Sequence, residues 1–148
     1  MKPIRLLVLV ASLSLFPLSG ALAQEKYIPG TDEELYGTWI DPTATSGPYK
    51  WVIAPNGVQL EYWRNYDPPY EEVRYTVEKK WTDDEGNVYY QVTSRYAFQP
   101  WTEARVRKTW LILYMIDPSG KTLRSVWSTR AMPSDFKSGI QPKTFQKE

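Results

Sequence analysis

Three tight-turn signals set the rhythm of this chain: Pro55-Asn56-Gly57, Asp83-Asp84-Glu85-Gly86-Asn87 and Asp117-Pro118-Ser119-Gly120. Each offers Gly and Asn, the residues that tolerate the positive φ of a hairpin turn, and each lies between runs rich in β-branched and aromatic residues. Those runs predict strands over Tyr49 to Ala54, Val58 to Trp63, Val73 to Thr82, Val88 to Ala97, Val106 to Ile116 and Lys121 to Thr129, with a first strand at Tyr36 to Ile40. Val73, Tyr75, Val77 and Trp81 alternate with Arg74, Thr76, Glu78 and Lys80, a period of two that no helix shows. Val88, Tyr90, Val92 and Tyr96 repeat it. From Trp110 to Ile116 the chain is apolar on both faces, so its outer side needs a cover, for which the C-terminal segment is the candidate.

Antiparallel neighbours reverse direction, so alternate connections of a meander lie at opposite ends of the sheet. The three short turns then share one end. The longer connections, Asp41 to Pro48, Arg64 to Glu72 and Phe98 to Arg105, share the other. A barrel with one closed end and one loop-lined mouth sorts its connections in this way. The expected fold is therefore all-β: an antiparallel up-and-down meander of seven or eight strands closed into a barrel, since closure removes exposed edges. Before the first strand, Thr31-Asp32-Glu33-Glu34 has the form of a capping box and predicts one helical turn, with Glu34 reaching back.

The ends add organisation. Lys2 and Arg5, an apolar run from Leu6 to Phe16 and a small-residue stretch ending Ala21-Leu22-Ala23 have the layout of a cleavable secretory signal. The apolar run, roughly 11 residues, is short of the roughly 20 that span a bilayer as a helix. The expected organisation is a signal at 1–23, an N-terminal extension at 24–33, a barrel at 34–130 and a tail at 131–148. Three arrangements stay open for the tail: an eighth strand near Ile140 to Phe145, a strap over the surface, or partial disorder. With no cysteine to lipidate or to bridge, the mature protein is expected to be a soluble exported species, periplasmic or secreted, that folds on packing alone and acts as a monomer without a membrane anchor. Taking Lys2 and Arg5 from the 18 basic residues leaves 16 against 17 acidic ones, and no basic stripe of the kind that marks a nucleic-acid binder.

The chain also resembles a family. Leu35-Tyr36-Gly37-Thr38-Trp39, a turn leading into a G-x-W at the start of the first strand, resembles the opening motif of lipocalins and lipocalin-like proteins. The resemblance implies that Gly37 and Trp39 build the closed end of a barrel, with Trp39 as its plug beneath a late arginine, for which Arg124 is the counterpart. It also implies a carrier or sensor of small apolar molecules, although the disulfide of many members is absent here.

The chain contains no His and no Cys, which excludes the usual zinc and blue-copper sites and His-assisted or Cys nucleophiles. Asp83, Asp84 and Glu85 could offer oxygens to calcium, but a solvated hairpin explains them better. Glu61, Glu71 and Glu72 could form an acid/base pair, but charges beside a strand are mostly its wet face. No metal, cofactor or catalytic residue is expected. Aromatics gather instead: Tyr66, Tyr70, Phe98 and Trp101 at the predicted mouth, and Tyr75, Tyr90, Tyr96, Trp110 and Tyr114 on faces that alternation can turn inward. Ligand pockets are mostly apolar with a few orienting polar groups. The expected function is non-enzymatic binding of a small apolar or amphipathic molecule inside the barrel. The alternative is a cell-envelope interaction or inhibitor module that meets a protein partner through loop aromatics and the tail.

Overall fold

The structure, a computed structural model, describes residues 32–98, 108–137 and 139–148. The expected signal, Thr31 of the capping box and the segment that holds Trp101 lie outside the described residues. Among those described, a 3-10 turn (Glu33–Leu35) precedes eight strands: β1 (Gly37–Ile40), β2 (Lys50–Ala54), β3 (Val58–Tyr62), β4 (Tyr70–Thr82), β5 (Val88–Phe98), β6 (Thr109–Ile116), β7 (Thr122–Ser128) and β8 (Ile140–Lys147). Each pairs antiparallel with the next in sequence, and β8 returns to β1 to close the barrel. The seam is narrow, with Trp39 opposite Lys147 and Ile40 opposite Gln146. The all-β up-and-down barrel expected from the turn parity is the fold observed, with the eighth strand supplied by the tail.

Alternation fills the inside. Trp51 and Ile53 of β2, Tyr75 of β4, Tyr90 and Val92 of β5, Tyr114 and Ile116 of β6, Leu123 of β7 and Phe145 of β8 form one buried cluster with Leu35 and Trp39. Trp51 stacks on Phe145 with ring centroids 4.0 Å apart and meets Tyr114 edge-on at 5.9 Å. Glu72, Arg74, Arg95 and Arg124 stand on the outer face, the reverse of a membrane barrel, whose lipid-facing band is apolar. No helix among the described residues is long and apolar enough to cross a membrane.

One part of the alternation breaks. The register of β4 on β5 shifts between Val77 and Lys79, so that Trp81 pairs with Tyr89 while Lys80 pairs with the inward Tyr90. Such a bulge inserts an extra residue and reverses the facing of everything after it. Trp81, expected on the face of Val77, therefore lies on the other face, stacked on Tyr89 at 5.0 Å with planes 5° apart.

The 3-10 turn plugs the short-turn end. Leu35 and Trp39 are fully buried, and the Trp39 indole N–H donates to the Leu35 carbonyl at 2.7 Å. Asp32, also fully buried, accepts from the Tyr36 hydroxyl at 2.6 Å and from the Tyr75 hydroxyl, so the turn is tied to β4. The Thr31 half of the expected capping box lies outside the described residues, and the Glu34 carboxylate accepts from Lys80 and from the Tyr90 hydroxyl. The expected Arg124 cap is replaced: Arg124 pairs with Met115 on the outer face and its guanidinium lies 4.5 Å from the Phe136 ring centre. The cation over the Trp39 ring is Lys147, at 5.0 Å. Parity explains the change, because the neighbours Leu123 and Ser125 take the inward positions of β7. Gly37, at φ +126°, leaves room for Lys147, whose Cε would lie 3.0 Å from a Cβ at that position.

The doubly apolar strand has its cover. Leu113 of β6 and Val126 of β7, paired on the outer face, are fully buried. Residues approaching β8 lie over them: the Pro133 carbonyl accepts from Gln91 at 3.1 Å, and Gly139 lies so close to Val126 that an added Cβ would come within 2.4 Å.

Candidate functional site

Large side chains pack the closed half of the barrel, but the half towards the long loops holds a cavity of about 440 Å³. Its wall comes from strand ends that turn parity assigns to the mouth: Trp51 at the start of β2, Glu61 at the end of β3 with Trp63 just beyond, Val73 early in β4, Ser94 and Tyr96 late in β5, Trp110 and Ile112 early in β6, Ser125 and Trp127 late in β7, and Lys143 in β8. Ser46, Gly47 and Pro48 of the β1–β2 loop form part of its rim. The volume falls in the range of small-molecule pockets, roughly 300 to 1,000 Å³. Small serines from β5 and β7, 3 % exposed, leave the space that aromatic residues would fill.

The wall is aromatic on one side. Trp110 meets Trp127 at 4.5 Å and Tyr96 at 6.1 Å, both edge-on. Trp51 and Trp110 each present a buried indole N–H that has no hydrogen-bond partner among the described residues. An unpaired buried donor costs about 1–3 kcal/mol, which an acceptor on a bound molecule removes.

Glu61 and Glu71 are the charged part. They are register partners on β3 and β4, 7 % and 1 % exposed, and both face inward. Gln59 donates to Glu61 at 2.8 Å, Tyr96 donates to its second oxygen at 3.3 Å, and the Tyr114 hydroxyl donates to Gln59 at 3.0 Å. Trp63 donates its indole N–H to Glu71 at 3.0 Å. Burial, together with the neighbouring Glu71 charge, pushes the Glu61 carboxyl up to about 7, so it carries a proton part of the time at neutral pH. Lys143, half-buried opposite, has its ammonium pulled below the usual range by desolvation, against the attraction of Asp41 and Glu61. Its Nζ lies 3.3 Å from the Pro48 carbonyl and 3.4 Å from that of Ser46.

Of the aromatic candidates, Tyr96 and Trp110 line the cavity. Tyr75, Tyr90 and Tyr114 lie in the packed core, where burial and a nearby carboxylate push the Tyr90 and Tyr114 hydroxyls up. Tyr66 is 47 % exposed and meets Trp63 edge-on at 5.7 Å at the rim. Tyr70 is on the outer face against Tyr62. Phe98 ends β5, and Trp101 lies outside the described residues. The expectation that Glu61 and Glu71 belong to a wet face is overturned, whereas Glu72 does face outward and pairs with Arg74 at 2.6 Å. Sequence reasoning named Glu61 and Glu71 but put them on the wet face, and it missed Trp51, Trp63, Trp127 and Lys143. A signal for Glu71 was available, since it has the parity of Val73 and Tyr75. Among the described residues no group of three acidic side chains is gathered closely enough to hold a metal. Asp83 organises its hairpin, accepting from the amides of Glu85 and Asn87 and from the Asn87 side chain. Comparison with protein-family models, curated proteins and solved structures finds no match to this chain.

Proposed function

We propose that this protein is a non-catalytic, exported, lipocalin-like binder that holds one small amphipathic molecule in the mouth half of its barrel. The observation that carries the reading is the cavity of about 440 Å³ inside a closed barrel, with two buried indole donors on its wall that lack partners among the described residues. Apolar rings to bury a ligand body and a few polar groups to orient it are the composition of a binding pocket. The G-x-W at Gly37-Thr38-Trp39 and the signal-like start at Lys2 to Ala23 support the lipocalin-like and exported parts.

The interaction-module reading has less support. It relies on a tail that orders on contact with a partner, and residues 140–147 are already a barrel strand. Titration with a panel of neutral and charged amphipaths, followed by tryptophan emission, tests the proposal, because Trp51, Trp63, Trp110 and Trp127 all border the cavity. Saturable quenching or a blue shift by at least one class is expected. Emission unchanged across the panel contradicts the proposal.

A further inference from the structure

The charge of the cavity narrows the class of molecule that it suits. Glu61 and Glu71 put two neighbouring carboxylates on the inner face, and Asp41, 8 % exposed, adds a third close to Lys143. The ammonium of Lys143 opposes them. Glu61 when ionised, with Glu71 beside it, outweighs the one Lys143 ammonium, which Asp41 also attracts, so the site has a negative bias that low-dielectric walls strengthen. Indole rings attract cations through their negative faces. The unpartnered N–H groups of Trp51 and Trp110 call for an acceptor as well.

We propose that the bound molecule is an organic cation, an amine or quaternary ammonium on an apolar body that also bears an acceptor, with its charge against Glu61 and its body among the indoles. This rests on the cavity being a ligand site. The titratable groups that face Glu61 are Glu71 from β4, Tyr96 from β5, Tyr114 from β6 and Lys143 from β8, and Asp41, from the loop after β1, faces Lys143. The inward residues of β2 and β7, Trp51, Ile53, Leu123, Ser125 and Trp127, do not titrate. With its carboxyl balanced at about 7, Glu61 gives up its proton to solvent when a cation arrives. Cation affinity therefore rises with pH through that region, and anion affinity falls.

The test uses the isosteric probes phenylbutylamine, phenylbutanol and phenylbutyrate, titrated calorimetrically into the full chain at about pH 6 and about pH 8, either side of the Glu61 transition. At the higher pH the amine is expected to bind about tenfold tighter than the alcohol, and the alcohol tighter than the acid. The amine's advantage is expected to shrink several-fold at the lower pH. Glu61→Gln is expected to remove the pH dependence and bring the amine close to the alcohol. The wild-type pH series stands as evidence whether or not that variant folds. Tightest binding by the acid, or equal binding of amine and alcohol in the wild type, overturns the cation assignment and leaves the cavity a ligand site. Binding by none of the three overturns both.

Discussion

Glu61 and Glu71 stand opposite one another across the β3–β4 ladder with both carboxyls turned into the barrel. A pair of like charges in a desolvated wall works against folding whenever both are ionised. The Glu61 carboxyl responds by holding its proton to about 7, against an ordinary value of 4.5.

The sign of the resulting pH dependence follows. Because the folded-state value is raised, the contribution of Glu61 to stability is fully present below about 4.5 and is lost as pH rises through about 7. A shift of this size corresponds to about 3 kcal/mol. Glu61→Gln keeps the shape and removes the charge. In urea unfolding followed from about pH 5 to about pH 8, the variant is expected to gain on the wild type until about pH 7 and then level off, the total gain reaching up to about 3 kcal/mol. A difference that does not change with pH contradicts this account of the buried carboxyl.

Trp39 is fully buried, donates to Leu35 and lies under Lys147. Trp39→Ala removes the plug of the closed end and is expected to cost about 3–5 kcal/mol in denaturant unfolding. Arg124→Ala, on the outer face over Phe136, is expected to cost under about 1 kcal/mol. The reverse order would mean that Arg124, as the family resemblance implies, caps the plug.

The hydroxyl of Tyr75 donates to Asp32, which has no access to solvent. Tyr75→Phe takes a donor from a buried carboxylate and is expected to destabilise by about 2 kcal/mol. Tyr89 also donates to a carboxylate, that of Asp83 at 3.0 Å, but at a hairpin that water reaches. Tyr89→Phe is expected to cost less than half as much. Equal costs in a chemical-denaturation comparison would contradict the role given to Asp32 in fixing the N-terminal turn.

Two glycines separate crowding from backbone strain. At Gly139 an added Cβ would lie 2.4 Å from the Cβ of Val126, whereas at Gly120, with φ +71°, nothing lies within 4 Å. Gly139→Ala is expected to cost about 1–3 kcal/mol through overpacking of the strap on β7. Gly120→Ala is expected to cost about 1 kcal/mol through its left-handed backbone alone. Val126→Ala should offset part of the first cost and none of the second, which a double-mutant cycle reads directly.

These contrasts mark what was legible in the sequence. Turn chemistry and period-two alternation were enough for seven strands, their direction and the two unlike ends, because Asn56-Gly57, Gly86-Asn87 and Ser119-Gly120 place the reversals and parity does the rest, whereas the eighth strand stayed one of three arrangements open to the tail. The bulge after Val77 was not legible, since nothing in Val77-Glu78-Lys79-Lys80-Trp81 announces an extra residue. The site was harder still. In β3 the polar Gln59 and Glu61 face inward and the apolar Val58, Leu60 and Tyr62 do not share that face, so the ordinary rule that apolar means inside assigns the strand backwards. Burying a carboxylate is costly, and a polar inner wall where packing alone would favour hydrocarbon is the mark of a surface kept for something other than stability.

The most direct test of the binding reading is to fill the cavity and ask whether the site disappears. N-phenyl-naphthylamine, a neutral apolar fluorophore, is titrated into the wild type, into Ser94→Phe and Ser125→Phe, which enlarge cavity-lining residues, and into Thr144→Phe on the exposed face of β8, with unfolding curves confirming that each chain is folded. One saturable, blue-shifted site per barrel is expected in the wild type and in Thr144→Phe, with affinity lost by about tenfold or more in each serine variant as the added ring occupies the space. Binding that survives both serine substitutions in folded protein, or that is absent from the wild type, would contradict a ligand site inside this barrel.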